Sequence, residues 1–467
     1  MENWLTNFVR RLVSILLLSL LILSAFGCNK DEPVTPTPKP VEEEHPKQYG
    51  EPFTNVPDTR DINMYEVNIR VFSEDGDLDG VTARLDEIKD LGINVIWLMP
   101  IYEPGVLKSV GSPYAIKDYK KVNPEFGTLE DLRELVSEAH DRDMAVILDW
   151  VANHTSWDHK WIQNVSWYTR DDSGNIVQPE GTNWTDVADL NFGSLAMRKE
   201  MISAMKYWVL EANVDGFRCD YADGVPTDFW KQAIDTLRSI PDRKLVMFAE
   251  GGKKELFSSG FDLIFGWNFY GKLKDLYEAK GAVATLFNAH TTDYSSVGQG
   301  KHILRWITNH DDNAWDDTPT TIFGGVDGSI SAFVITVYMG GVPLIYNGQE
   351  VAYPVKLPFF SNTSTRIDWS WNPGVLATYK NLLAVRNSSD ALRGGEMENH
   401  STADVVAFTR ISGSDQVLVV VNVRNGARTF AVPVELRMEW EDAVSGEPVT
   451  LDETIELEPY AYRIFRK

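Results

Sequence analysis

Residues 144–150 read Met-Ala-Val-Ile-Leu-Asp-Trp, an apolar run that meets a carboxylate. The pattern returns at 214–220 (Val-Asp-Gly-Phe-Arg-Cys-Asp) and at 244–250 (Lys-Leu-Val-Met-Phe-Ala-Glu). A fourth run, Ile303 to Thr308, leads into Asn309-His310-Asp311. Short apolar runs rich in Val, Ile and Phe predict strands buried on both faces. Outward from these four, Met64–Phe72, Ile93–Met99, Phe261–Ile264 and Val342–Tyr346 read as further strands. Helix-period segments separate them: 81–91, 129–142, 195–212, 227–240, 329–339 and 376–386. Alternating strands and helices predict a parallel sheet, and about eight such units predict a closed (βα)8 barrel, the TIM-barrel form of α/β architecture.

The barrel is expected over residues 59–392, with a small domain B inserted at 155–192 after the third strand. From residue 393 the pattern changes to short strands (405–411, 416–423, 429–432, 450–457 and 461–465) between Gly, Asn and Ser turns. That predicts a C-terminal antiparallel β-sandwich over 393–467.

Barrel strands deliver their carboxyl ends to one rim, and active sites form there. Asp149, Asp220, Glu250 and Asp311 are therefore expected in one cup, with Arg218, His154 and His310 beside them. One acid at a strand end is often structural; four of them converging are not filler. Paired carboxylates suit glycoside hydrolysis, where one protonates the leaving oxygen and another attacks or activates water. Spacing along the chain leaves retention and inversion both open.

Composition narrows the partners. The chain has 467 residues, with 44 Lys and Arg against 68 Asp and Glu, a formal charge of −24. Such a balance argues against nucleic acid, whose phosphates need clustered cations. Aromatic residues are 11%, including 15 Trp, a supply of flat rings that serves sugars and large cores alike. Two cysteines, Cys28 and Cys219, exclude a disulfide framework and a cysteine-based zinc site.

The N-terminus reads as an address. Arg10 and Arg11 precede an apolar run, Leu12 to Phe26, too short for a membrane span. Residues 1–27 are expected to be a signal peptide. Ser24-Ala25-Phe26-Gly27-Cys28 resembles a bacterial lipoprotein cleavage site, which would lipidate Cys28. Asn29-Lys30-Asp31-Glu32 is similar to the surface-export signal of Bacteroidetes lipoproteins. The expected location is the outer membrane, facing the cell surface. Residues 28–58 hold seven of the 22 prolines and read as a stiff, poorly ordered tether.

Several segments together resemble the alpha-amylase superfamily, glycoside hydrolase family 13. Asp149-Trp150-Val151-Ala152-Asn153-His154 is similar to its D-x-x-x-N-H motif, and Gly216-Phe217-Arg218-Cys219-Asp220 to its G-x-R-x-D strand. Phe248-Ala249-Glu250 and Asn309-His310-Asp311 resemble the acid/base and N-H-D segments. Gly92–Pro100, Ser112-Pro113-Tyr114 with Tyr119, and Gly341–Glu350 agree in order and spacing. The resemblance covers residue 60 to the C-terminus. It implies a retaining hydrolase of α-1,4-glucans such as starch or maltodextrin. Asp220 would be the nucleophile, Glu250 the acid/base and Asp311 the transition-state stabiliser. Tyr114 would stack on the sugar, His154 and His310 would bind its hydroxyls, and Asp149 would support Arg218. Domain B carries Trp157, Trp161, Trp167, Tyr168 and Trp184, expected to be mostly core with some sugar platforms.

The resemblance also implies other surface starch-uptake proteins as partners, and a calcium ion at Asn153 and Asp189, although the family's calcium-binding His is missing. Asp75–Gly80 is similar to the start of an EF-hand loop but also to an ordinary family turn, the preferred reading. One departure bears on specificity. Many endo-amylases continue the nucleophile strand with Lys-His, whereas here the chain reads Asp220-Tyr221-Ala222-Asp223-Gly224. An exo-acting α-glucosidase, a cyclomaltodextrinase and a glucanotransferase therefore stand as alternatives. A non-catalytic starch-binding lipoprotein is the rival of another class, opposed by the presence of all three carboxylates.

Overall fold

The structure is a computed structural model that describes residues 46–278, 281–360 and 363–467. The signal peptide, Cys28 and the first part of the tether lie outside the described residues. Eight strands close a barrel: β1 (Met64–Val67), β2 (Val95–Leu98), β3 (Ala145–Val151), β4 (Gly216–Asp220), β5 (Val246–Ala249), β6 (Leu263–Phe265), β7 (His302–Arg305) and β8 (Val342–Tyr346). Neighbours are parallel all the way round, with β1 bonded to both β2 and β8.

Register sets which side chains share the lumen. Glu66 pairs with Trp97, Asp149 with Arg218, and Arg218 with Phe248. Paired residues on adjacent strands point to one side, and residues two apart do as well. Asp220 therefore sits directly above Arg218, at the carboxyl end of β4. The close approach of β4 to β5 requires Gly216: its φ is 145°, and a Cβ there would lie 1.9 Å from the Val246 carbonyl oxygen.

The helices pack apolar faces onto this sheet. The helix Leu129–Asp141 opens with a capping box, Thr128 with Asp131, and buries Leu132, Leu135, Val136 and Ala139. Helices Trp267–Glu278 and Val283–Tyr294 escaped the sequence reading. The segment Met64–Phe72 is not one strand: β1 ends at Val67 and Ile69–Phe72 forms a helical turn. The acidic Asp75–Gly80 segment is an ordinary turn. Asp77 accepts from the Gly80 N–H and starts the helix Leu78–Thr82.

Residues 46–58 correct the expected tether boundary. They are docked rather than loose, because they carry aromatic and aliphatic side chains with partners on the barrel. Phe53 stacks on His140 at 4.3 Å, Tyr49 lies under Arg133, and the Lys244 ammonium donates to the Val56 carbonyl at 3.0 Å.

Residues 152–192 form the wall between β3 and the helix Leu195–Glu211, around a two-stranded ribbon of 154–156 and 187–189. Trp161 and Tyr168 are its core, Trp157 and Trp167 are half-buried against it, and Trp184 faces the cleft. The C-terminal domain has a six-stranded antiparallel sheet and a two-stranded one, 428–431 with 454–457. Its strand Val405–Ser412 uses the two-residue alternation fully. Val405 and Ala407 enter the domain's own core, while Val406 and Phe408 pack against the barrel helices. Trp440 is also core.

Candidate active site

A cleft of about 490 Å³ opens over the carboxyl ends of the strands. Tyr114, His154, Asp220, Glu250, His310 and Asp311 all line it. Its organising group is Arg218, buried beneath the floor. One guanidinium nitrogen, Nη1, donates to Asp149 at 2.8 Å and to Asp220 at 3.0 Å. The other, Nη2, lies 3.0 Å from Glu250. Three carboxylates thus share one cation, held in place by its planar fork. Asp149 is fully buried and fixes the far side. Its second oxygen accepts from the Trp97 indole at 3.2 Å and the Tyr114 hydroxyl at 3.1 Å.

Electrostatics follow from that crowding. Burial and the neighbouring Glu250 charge push the Asp220 carboxyl well above the ordinary carboxylate range, and Arg218 pulls the other way. Asp149 is raised chiefly by burial, again against Arg218. Arg218 itself stays protonated, because its carboxylate neighbours outweigh the cost of burial. The Glu250 oxygen that faces Arg218, Oε2, also accepts from the Tyr221 main-chain N–H at 2.7 Å. Tyr221 has φ 42°, a left-handed conformation at the turn after β4.

The two histidines differ. Burial lowers His154 to about 4, so it is neutral. Its ring faces Trp184 at 5.6 Å, and Asn153 reaches its Nδ1 at 3.3 Å. His310 is also buried, which alone would lower it. The charges of Asp311 and Glu66 prevail and raise it to about 9. Its Nδ1 donates to Glu66 at 2.5 Å, and its Nε2 meets the Tyr114 hydroxyl at 2.8 Å. The Tyr114 ring lies nearly parallel to His310, at 5.6 Å. Asp311, partly exposed, has an oxygen 3.5 Å from His310 Nε2.

Glu66 is the site residue that sequence reasoning missed. The available signal was a lone acid inside the apolar strand Met64–Val67. A buried charge there requires a partner, and that partner is His310. All eight residues proposed for catalysis and sugar binding lie at this rim or directly beneath it.

The expected calcium donors are adjacent but few. The ribbon places Asp189 opposite His154, next to Asn153. The Asn153 carbonyl accepts from the Leu190 N–H, the Asp189 carbonyl from the Thr169 N–H, and the Asn153 amide nitrogen is spent on His154. The Asn153 side-chain oxygen and the Asp189 carboxylate remain as oxygen donors toward the six to eight that calcium takes, and each main-chain carbonyl keeps a second lone pair. Among the described residues, no three His, Cys, Asp or Glu side chains converge as a metal site. No step of the chemistry is routed through a calcium ion.

A closed parallel barrel whose rim carries three carboxylates around one buried arginine is suited to glycoside hydrolysis. Comparison with known proteins agrees. Residues 49–175 match the family pattern described as the alpha-amylase catalytic domain. The chain is 28% identical to alpha-amylase 3 of Dictyoglomus thermophilum over 82% of this chain and 89% of that protein. It is 25% identical to a cyclomaltodextrinase of Thermoanaerobacter pseudethanolicus, over 74% of this chain and 63% of the other. Among solved structures, an alpha-amylase from Lactobacillus plantarum superposes with a TM-score of 0.78 at 26% identity, covering 88% of this chain and 99% of that one. In sequence over residues 49–175, and in fold over most of its length, the chain is similar to alpha-amylases.

Proposed function

We propose that this protein hydrolyses α-1,4-glucosidic bonds of starch or maltodextrin with retention of the α configuration. The observation that carries the reading is Arg218 bound at once to Asp149, Asp220 and Glu250 beneath a cleft lined by Asp311, Tyr114 and both histidines. In the first step an Asp220 oxygen attacks the anomeric carbon. The bond to the leaving oxygen breaks with its electron pair, and Glu250 supplies that oxygen with a proton. The product is a β-glycosyl ester on Asp220. In the second step Glu250 removes a proton from water, the water oxygen attacks the same carbon from the α face, and Asp220 leaves. Asp311 stabilises the positive charge that grows on the sugar ring. Arg218 holds Asp220 in line, and Asp149 holds Arg218. Tyr114, tied to Asp149 and His310, presents its ring to the sugar, while His154 and His310 bind hydroxyls.

Two aromatic clusters line the cleft, Trp184 with Tyr221 and Trp315 with Phe359 and Phe360. They favour a chain of several sugars and so an endo-acting enzyme. The second reading, an exo-acting enzyme, cyclomaltodextrinase or glucanotransferase, is favoured by the Tyr221-Ala222-Asp223 departure and by the cyclomaltodextrinase relative. Digestion of amylose and maltoheptaose separates the two. A spread of oligosaccharide lengths from the first minutes supports endo action. Glucose or maltose alone, or faster opening of cyclodextrin, moves the protein to the second reading.

The pH profile should carry the signature of this cluster. The nucleophile must be ionised, and Asp220 is raised by burial and Glu250. Activity is therefore expected to fall on the acid side at a pH above the ordinary aspartate value of about 3.9. His310 is raised to about 9, so its cationic form is present at neutral pH and lost as pH rises through that value. Glu66→Gln removes one of the charges that hold the proton. The His310 ring, followed by NMR, should then lose its proton at a lower pH than in the wild type. A His310 titration at the same pH in both proteins would separate Glu66 from the histidine.

The address at the N-terminus supports a lipid-anchored protein of the outer membrane, facing outward, where α-glucan is met outside the cell. Detergent-phase partition of the full chain, lost on Cys28→Ser, tests it; partition unchanged by that substitution would remove the anchor.

A further inference from the structure

The turn after Asn309-His310-Asp311 holds a carboxylate that the mechanism leaves unused. Asp311 stands beyond the end of β7, with a side chain 40% exposed and 3.5 Å from His310 Nε2. Its place over the cleft therefore depends on the backbone that carries it. Asp311 has helical dihedrals, φ −74° and ψ −53°, and opens a single π-helical turn, Asp312–Asp316. Isolated π turns are rare and gather at functional sites. The same turn carries Trp315, 66% exposed, on the cleft wall.

Asp312 supplies the hold. Its main-chain N–H donates to the Asn309 side-chain oxygen at 2.7 Å. Its carboxylate accepts from the Trp306 indole N–H at 2.7 Å. Trp306 is a fixed donor. It is fully buried, stacks on Tyr270 at 5.0 Å, and meets Phe265 and Trp267 edge-on, each at 5.0 Å. One residue further on, the Asn313 side chain accepts from the Leu357 N–H at 2.6 Å. The acid is costly where it stands. Burial and the charges of Asp311 and Asp316 push Asp312 up to about 6, against the pull of Trp306 and Lys274. A neutral side chain would avoid that cost, so stability alone does not account for a carboxylate here.

We infer that Asp312 is a positioning residue: its bond to Trp306 holds the turn that sets Asp311 against the sugar ring. Asp312 stands outside the cleft lining and acts through its neighbour. This rests on the proposed glucan hydrolysis.

The test is turnover of maltoheptaose. Asp312→Ala should lower kcat by about tenfold, the scale of one hydrogen bond to a charged group, and move KM by less than about threefold. Asp312→Asn keeps an oxygen for the indole and should recover most of the loss. Trp306→Phe keeps a ring, removes the donor, and should show the same split between kcat and KM. In an Asp311→Asn background, Asp312→Ala should cost less than about twofold more, because the group it positions is already gone. A merely structural residue would lose as much there as in the wild type, and that result overturns the inference. So does a rise in KM at unchanged kcat, or an Asp312→Asn protein no better than Asp312→Ala. The changes at position 312 decide the matter even where Trp306→Phe fails to fold. Wild-type protein with no turnover of maltoheptaose would instead overturn the glucan-hydrolase reading itself.

Discussion

Asp220→Asn is expected to lower kcat on maltoheptaose by at least about 10⁴-fold, the scale on which removing a nucleophile acts. The fold should not suffer. Asp220 sits in a buried cluster with two other carboxylates and one cation, and its carboxyl is raised above the ordinary range. A carboxylate with a raised folded pKa opposes stability once the pH exceeds its unfolded value. The neutral amide removes that charge, so at pH 7 the variant should melt at or above the wild-type temperature. Calorimetry beside single-turnover kinetics checks both halves. A variant that keeps most of its activity would sink the nucleophile assignment. One that loses activity and melts much lower would make the loss a folding effect.

Arg218→Met is the second large effect, and it acts on stability and rate together. Arg218 is the shared partner of Asp149, Asp220 and Glu250. Without it, buried charges face one another uncompensated, at a cost of about 3–5 kcal/mol. The pH dependence separates this cause from simple loss of packing. Asp149 and Asp220 already have raised pKa values, and losing the cation raises them further. Protonation at low pH then relieves the repulsion. The gap in melting temperature between wild type and Arg218→Met should be widest near pH 7 and narrow toward pH 5. A gap of constant size would mean that the arginine mattered for its volume and not for its charge.

The sequence carried much of this site for a physical reason. A strand buried on both faces is apolar, so a carboxylate at its end stands out, and barrel topology then brings separate strand ends together. Asp149, Asp220, Glu250 and Asp311 were visible on those grounds alone. The two-residue alternation placed Arg218 on the face of Asp220. Roles were another matter: nucleophile, acid and stabiliser were assigned through family resemblance, because strand-end position does not distinguish one carboxylate from another.

Glu66 was hidden by a misread strand. With Met64–Phe72 read as one strand, nothing marks Glu66 as lying near its end. The strand in fact ends at Val67, at the rim, where Glu66 meets a histidine distant by 244 positions. The unread strands of the C-terminal domain have a different cause. Glu396–Asn399 is an edge strand of mostly exposed polar residues, so it lacks the apolar signature altogether. The docked segment 46–58 was obscured by proline content, which marks extended chain but says nothing about whether that chain is held. Phe53, Val56 and Tyr49 were the residues to weigh.

The central claim is double displacement through Asp220 with retention of the α configuration. The most direct test is proton NMR of the new reducing end during the first minutes of maltoheptaose hydrolysis, before the anomers interconvert. The account predicts that the α-anomer signal appears first and the β signal only later, by mutarotation. A β-anomer signal that appears first would mean one inverting displacement by water, and would contradict the covalent intermediate.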